Sequence, residues 1–174
     1  MRYLLLLLVL TFLVACEGGT AARKAAKGPY FVSDPDHLYF KNTRLRHYRA
    51  DESRQEVTVY RHDDLLASEA RVLPILLDNW LEDQATLRFD VRRDPAQDAV
   101  AEPFRLDVRQ DAGWESLRLS VPPTNEEVAE LRRYLSTNRE LRVVMGLDTL
   151  APFPGEARAT AKEVLDDYLR LVAY

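Results

Sequence analysis

The sequence is poor in the residues that build the commonest specialised sites. It has one cysteine, three histidines and six glycines among 174 residues. One cysteine can form neither an internal disulfide nor a zinc knuckle. The chain also lacks a Gly-x-Ser-x-Gly elbow, a His-Glu-x-x-His helix and a phosphate-binding glycine loop. The net charge of −4 argues against nucleic acid as the main partner, because phosphate binding needs a basic surface.

Long hydrophobic runs are scarce as well, and the most prominent one lies at the N-terminus. After Arg2, residues 3–15 are almost wholly apolar. As a helix they would reach about 20 Å, short of the roughly 30 Å hydrocarbon core of a bilayer. A positive residue followed by a short apolar run is typical of an export signal. Residues 1–15 are therefore predicted to be a signal peptide.

The end of this run resembles the lipobox of bacterial lipoproteins. Leu13-Val14-Ala15-Cys16 follows the Leu-x-Ala/Gly-Cys pattern, and Cys16 is the sole cysteine. The resemblance covers residues 1–16 only. It implies transfer of diacylglycerol to the Cys16 sulfur, cleavage before Cys16 and, often, acylation of the new amino terminus with a fatty acid such as palmitate. Two or three acyl chains, at roughly 0.8 kcal/mol per buried methylene, would hold the protein on a membrane almost permanently.

Two further expectations follow from the lipobox resemblance. Glu17 follows the cysteine, and the absence of an aspartate there favours the outer over the inner membrane of the bacterial cell envelope. Residues 16–29 lack large apolar side chains, which predicts a lipidated flexible tether spanning on the order of 20 Å. Two alternatives remain open. Residues 21–27 could form a short helix, and the apolar run could be a buried helix of a cytosolic protein.

Residues 30–174 are predicted to form a single domain, and its first two thirds have the alternating pattern of β-strands. A repeated motif supports this, because 87–92 (LRFDVR) resembles 104–109 (FRLDVR) seventeen residues later. Pro74 should confine its run to an edge or bulged strand, and we expect Trp80 and Leu81 to fold back on the core. Strands are predicted at 41–49, 55–61, 71–77, 87–92, 104–109 and 117–121, with a polar loop at 50–54.

The last third changes to helical periodicity. Thr124 and Glu127 form a capping-box pattern that starts a helix, for which Asn138 is a plausible C-cap. A short strand is predicted at 141–146 and a loop at 147–154, and apolar residues at helical spacing predict a closing helix at 156–172. The sequence thus predicts an α+β domain, in which a largely antiparallel meander sheet has two C-terminal helices packed on one face.

Two clusters are candidates for chemistry or binding. The first is a basic, aromatic segment that could dock an anionic partner. Its candidate residues are Arg44, Arg46, His47, Tyr48, Arg49 and Arg61. The second is His62-Asp63-Asp64, where imidazole and carboxylates could hold a divalent ion if Asp34, Asp36 or His37 came close. Aspartates that cap turns and a solvated charged strand face are the ordinary explanations of these patterns.

These features favour a non-enzymatic binding or assembly lipoprotein that uses no cofactor or metal. Its expected partners are the membrane and an envelope protein or glycan. The alternative is an envelope hydrolase or metal-dependent enzyme centred on His62, Asp63 and Asp64. The adjacent carboxylates of Asp166-Asp167 and Glu126-Glu127 point in different directions on a helix, so they are expected to be surface charges rather than acid/base pairs.

Overall fold

The computed structural model describes residues 28–54 and 56–173. Within these ranges, eight strands form two four-stranded antiparallel sheets. The first sheet has the order β1-β2-β3-β4 and the second β6-β5-β7-β8. The strands are β1 (Tyr48–Arg54), β2 (Val57–His62), β3 (Val72–Asn79), β4 (Gln84–Val91), β5 (Arg105–Gln110), β6 (Gly113–Leu117), β7 (Leu141–Met145) and β8 (Asp148–Leu150).

Four α-helices accompany the sheets in the described ranges. They are α1 (Asp34–Tyr39), α2 (Asp63–Ala67), α3 (Asn125–Ser136) and α4 (Ala157–Ala173). Helix α4 packs on β3, β4 and α3. Buried residues of both sheets and of α3 and α4 form one continuous apolar core. The α+β class with antiparallel strands and C-terminal helices is confirmed, and the strands divide between two sheets instead of forming one meander.

The C-terminal third agrees closely with its sequence pattern. Thr124 caps α3, and its side chain and that of Glu127 make the reciprocal bonds of a capping box. Asn138, the predicted C-cap, lies one residue past the observed C-cap Thr137 and has a positive φ of 55°. The predicted apolar positions of α4 are all buried. The predicted loop after β7 contains the short strand β8, which the sequence did not indicate.

The predicted strand at 41–49 is wrong. Helix α1 continues as a π-helix over Phe40–Arg44 and a 3-10 helix over Leu45–His47, and strand β1 occupies the predicted loop at 50–54. Long-range contacts fix this helical segment. The Arg44 guanidinium bonds to Asp167 and Glu163 on α4, and the buried Phe40 ring packs against Tyr48 and Tyr60. The sequence pattern around residue 44 contains no trace of these partners.

Pro74 lies in a central strand, so the prediction of an edge strand is wrong for β3. The proline is tolerated because β2 pairs with β3 only at Leu76, Leu77 and Asp78. Pro74 itself pairs with Phe89 of β4 on the other side. The half of β3 that holds Pro74 therefore has a neighbour on one side only, which is the environment where a missing N–H costs least.

Two other expectations are also wrong. Trp80 and Leu81 do not fold back on the core; they lie in the β3–β4 turn and are 53% and 55% exposed. The strand predicted at 117–121 is shifted, because β6 ends at Leu117 and Val121 is fully exposed in the following loop. In both places the pattern predicts buried apolar side chains, but the chain turns into solvent there.

Arg92 is a buried structural arginine at the end of β4. It is 4% exposed and donates to the carbonyl oxygens of Leu65, Leu66 and Ser68 at the end of α2, at 3.2, 3.1 and 2.6 Å. It also donates to the Ala70 carbonyl at 3.0 Å. A guanidinium can satisfy several helix-end carbonyls at once because it has five donors in one plane. Arg92 thus fixes α2 against the first sheet.

Candidate functional site

Two of the six residues of the predicted basic segment point into the protein. Tyr48 is buried, and its hydroxyl donates to Asp167 at 2.7 Å. The Arg44 Nε lies 2.8 Å and 2.9 Å from the two carboxylate oxygens of Asp167, and another nitrogen of Arg44 bonds to Glu163. These two side chains join the first sheet to α4 and are not available to an external anion.

Of the other four residues of the segment, the two arginines on the strands lie beside carboxylates. Arg49 lies 3.4 Å from Asp63, and Arg61 lies 3.7 Å from Asp51. Arg46 donates to the ring of His47 at 3.2 Å. The structure therefore does not gather the six predicted residues into one open cationic surface. Their role in binding an anionic partner stays a prediction without a specific geometry behind it.

The residues proposed as a metal site bind to separate partners in the structure. His62 is 2% exposed; its Nδ1 accepts the N–H of Asp64 at the start of α2, and burial lowers its pKa. His37 bonds instead to Asp78, with its Nε2 at 2.8 Å from a carboxylate oxygen. Over residues 28–54 and 56–173, no three histidine, cysteine or acidic side chains come together to hold an ion. The metal-dependent alternative thus lacks its ligand set in this part of the chain.

One concave feature is a cleft between the two sheets, which we call the inter-sheet cleft. It has a volume of about 880 Å³ and is lined by residues 87–89, 101–106 and 116–123 together with Glu127. Its surface is mostly apolar. A cleft of this size and character is the usual form of a binding site.

Two connecting segments form the walls of the inter-sheet cleft. On one side, the Phe104 ring meets Phe89 of β4 edge to face, with ring centroids 6.3 Å apart. On the other, Glu127 accepts the N–H and hydroxyl of Ser120 at 2.9 and 2.8 Å as well as the N–H of Thr124 at 2.9 Å. Burial raises the pKa of Glu127, but these bonds outweigh it and the pKa lies below its ordinary value. Glu127 therefore stays ionised and fixes this wall to α3.

Strand β4 offers backbone groups to the cleft. It is the edge strand of the first sheet, and its outer side is paired only at its two ends. The Ala85 N–H donates to the Tyr30 carbonyl at 2.9 Å, and the Val91 N–H donates to the Val100 carbonyl at 2.8 Å. Because backbone direction alternates along a strand, Leu87 and Phe89 must also direct their N–H and C=O groups outward.

These outward groups are unpaired but covered. Among the residues that the structure describes, no hydrogen bond on the cleft side is found for the N–H or C=O of Leu87 or Phe89, while Leu87 has no exposed surface and Phe89 is 7% exposed. An unpaired strand edge is a template for a further strand, and proteins usually cover or interrupt it. Here the bridges at Phe31 and Val100 occupy the ends and leave the middle unpaired beside the cleft. An extended peptide segment could pair with this part of β4 once the side chains that cover it move aside.

The charged groups at the cleft favour an acidic ligand. Arg88 and Arg105 are paired with Asp90 and Asp107, respectively. Arg118 is exposed at the cleft and has no ion-pair partner within the described ranges. Glu102 pairs with Arg93, and the Glu127 carboxylate accepts from Ser120 and Thr124. Arg118 is thus the charge at the cleft that is free to meet a carboxylate.

Sequence reasoning missed this cleft entirely. Its lining comes from β4, β5, β6 and two connecting segments, and no local motif links them. The repeat between 87–92 and 104–109 could have given a hint, because both copies contribute to the lining and lie in different sheets. The sequence instead predicts the segments 87–92 and 104–109 as strands of one sheet.

Comparison with protein-family models, with curated proteins and with solved structures finds no match to this chain. Cys16 and the lipobox lie outside the described residues. In the part of the chain that the structure covers, no helix has the length and apolar character needed to cross a bilayer.

Proposed function

We propose that the protein is a membrane-anchored lipoprotein of the bacterial cell envelope that binds an extended peptide segment of another envelope protein in the inter-sheet cleft. It acts as a non-enzymatic binding or assembly module. The lipobox at residues 13–16 supports the anchor. The unpaired edge of β4 at Leu87 and Phe89 beside an apolar cleft carries the binding proposal, which requires the side chains over Leu87 to move aside when a peptide binds.

Strand addition explains why both backbone and side chains of the cleft matter. Backbone hydrogen bonds to β4 supply affinity, and pockets for alternate side chains supply specificity. Apolar side chains of the ligand would meet the walls at Phe104 and Leu117, and an acidic side chain would meet Arg118. A lipid or a glycan has no row of N–H and C=O groups to match Leu87 and Phe89, so a polypeptide fits the site best.

A synthetic peptide tests the binding proposal directly. The probe alternates valine with glutamate over seven residues, which covers roughly 23 Å as a strand. Two further probes carry N-methyl groups on alternate residues, one on each of the two alternating sets. Only one set faces β4 in a strand pair, so one methylated probe should lose at least about tenfold in affinity while the other binds like the parent. Isothermal titration or fluorescence anisotropy measures all three.

Matched protein variants locate the binding in the inter-sheet cleft. Ala101 is exposed and lines the cleft, so Ala101→Trp should block the probe without disturbing the core. Ala159, exposed on α4 away from the cleft, provides the control Ala159→Trp. Arg118→Glu should weaken the glutamate probe and favour its lysine counterpart. Equal loss with both methylated probes, or displacement of the probe by oleate, would show that strand addition is wrong.

The anchor has its own test. Replacing Cys16 by serine removes the only thiol. If the anchor is real, the native protein fractionates with membranes and Cys16→Ser moves to the soluble envelope fraction. Intact-mass spectrometry of the native protein should show loss of residues 1–15 and added acyl chains. An unprocessed Met1 with an unmodified Cys16 would contradict the anchor and leave the peptide-binding proposal to be judged on its own.

A further inference from the structure

The described chain starts beside the turn between β3 and β4. The Tyr30 carbonyl accepts the N–H of Ala85 at 2.9 Å, and the Val32 N–H donates to the Asp83 carbonyl at 2.8 Å. Residues 30–32 are therefore fixed to the beginning of β4. The sequence places thirteen residues between Cys16 and Tyr30. A lipid on Cys16 would hold this end of the protein close to the membrane surface, within on the order of 20 Å.

The same end of the first sheet exposes large apolar side chains. Trp80 and Leu81 lie in the β3–β4 turn, and more than half of each is exposed to solvent. Leu38 is exposed on α1, which is held to the end of β3 by the bond between His37 and Asp78. Tryptophan is enriched where proteins meet the headgroup region of a bilayer, because its ring is apolar and its N–H is polar.

We infer that the β3–β4 turn, with Trp80 and Leu81 at its tip, rests among the zwitterionic lipid headgroups of the membrane that anchors the chain. This inference rests on the proposed lipid anchor. The anchor makes the contact intramolecular, so two apolar side chains suffice to hold an orientation although they could not recruit a free protein. The lipid is zwitterionic because Glu82 lies in the same turn and Asp34 on α1, and these carboxylates repel an anionic surface at the turn, whereas the basic residues of the tether, Arg23, Lys24 and Lys27, lie outside the turn.

The contact would set the direction of the inter-sheet cleft. The Pro29 carbonyl accepts from the Asn125 side chain at 2.8 Å, at the start of α3 and two residues from Glu127 of the cleft wall. The point where the chain leaves the domain is thus next to the cleft. With the β3–β4 turn on the membrane, the cleft lies close to the bilayer surface and can receive a segment that emerges from it.

Depth-dependent quenching of tryptophan tests the inference. The full-length lipidated protein is placed in vesicles of phosphatidylethanolamine and phosphatidylcholine, with part of the phosphatidylcholine brominated on its acyl chains. Trp114, the other tryptophan, is removed by Trp114→Phe. We expect the Trp80 emission to fall by roughly one half and to shift to shorter wavelength, since an interfacial indole lies within reach of the bromines. Added phosphatidylglycerol should reduce the quenching.

A second reporter supplies the matched control. The Pro152 carbonyl accepts the N–H of Arg71 at 2.8 Å, just before the first residue of β3. Ala151 is exposed there, and the eight residues of β3 separate it from the β3–β4 turn by roughly 26 Å. In a Trp80→Phe, Trp114→Phe background, Ala151→Trp should report no quenching.

The outcomes separate this inference from the anchor. Lipidated protein that stays on the vesicles with Trp80 unquenched, or with Trp80 and Ala151→Trp quenched equally, overturns the membrane contact and leaves the anchor intact. Protein that carries no acyl chains and does not sediment with vesicles overturns the anchor itself. Strong quenching only with anionic vesicles would contradict the zwitterionic surface.

Discussion

Two buried carboxylates, Asp107 in the second sheet and Asp167 on α4, are bound by arginine and yet differ in the direction of their pKa. Asp107 accepts from Ser116 at 2.8 Å, from Arg142 at 2.9 Å and from Arg105 at 3.0 Å. Burial raises the pKa of Asp107, but these donors outweigh it and the pKa lies below its ordinary value. Asp107 is held as an anion.

Asp167 has fewer charged donors than Asp107, and Glu163 competes with it for Arg44. It accepts from Arg44 and Tyr48, and Arg44 also bonds to Glu163. Burial is the largest influence, and the pKa of Asp167 lies above its ordinary value although both donors lower it. Asp167 differs from Asp107 in two ways, because it is more strongly desolvated and because its one arginine is shared with Glu163; both keep its pKa above that of Asp107.

We expect the largest loss of stability from removing Arg44, the arginine that binds Asp167. Arg44→Met keeps the apolar stem and deletes the guanidinium, which leaves the Asp167 carboxylate buried with Tyr48 alone. We expect a loss of about 3–5 kcal/mol in the free energy of unfolding at neutral pH. Urea denaturation measures it, with the exposed Arg46→Met as control at within about 0.5 kcal/mol. A loss equal to that of the control would mean that the ion pair contributes nothing.

The next effect distinguishes the two carboxylates themselves. Asp107→Asn should cost about 2 kcal/mol at neutral pH, because it weakens bonds from two guanidinium groups. Asp167→Asn should cost about half as much, since the neutral side chain no longer pays for desolvation. Equal losses for the two variants in urea denaturation would remove the distinction drawn from their surroundings.

The pH dependence of those two losses should have opposite signs. The lowered pKa of Asp107 gives a stabilisation that is present above the unfolded pKa of about 3.9 and is lost as pH falls through the folded value. The raised pKa of Asp167 gives a contribution that is present below the unfolded pKa and is lost as pH rises through the folded value. The Asp107→Asn loss should therefore grow with pH, and the Asp167→Asn loss should shrink. Parallel curves for the two variants would contradict this.

The smallest effects come from the hydroxyl donors. Tyr48→Phe removes a buried hydrogen bond to Asp167 and should cost about 1 kcal/mol. Ser116→Ala removes a bond to Asp107 from an exposed residue, and Asp107 keeps both arginines, so about 0.5 kcal/mol is expected. Thermal or urea unfolding should rank Tyr48→Phe as the more damaging change. The reverse order would show that the Ser116 hydroxyl contributes more at Asp107 than the Tyr48 hydroxyl does at Asp167.

Local patterns predicted those parts of the fold that depend on local interactions. The capping box of Thr124 and Glu127 starts α3 where predicted, because both partners lie within one turn of helix. The apolar spacing of α4 and the alternation of β4 and β5 also located their buried faces. The helical segment at 40–47 could not be predicted, since the contact that holds Arg44 within it comes from a helix more than a hundred residues away.

The candidate site was beyond local reasoning for the same reason. The predicted segment around Arg44 and Tyr48 consists of side chains that a strand pattern would place outside, and the ion pair with Asp167 turns both inward. Trp80 was expected in the core because it is large and apolar. Its position in the turn depends on where β3 ends, and the sequence alone does not fix that boundary to within a residue or two.

The amino-acid order alone determined the lipobox resemblance, the helix caps and the polar-apolar alternation of the strands, because each depends on residues that are neighbours along the chain. The division of the strands into two sheets, the unpaired middle of β4 and the cleft beside it were decided only by tertiary structure. They depend on which strands pair with each other and on the bridges of Phe31 and Val100 to the two ends of β4. The alternation within a strand predicts which face is buried, but it does not determine which segment pairs with the strand's edge.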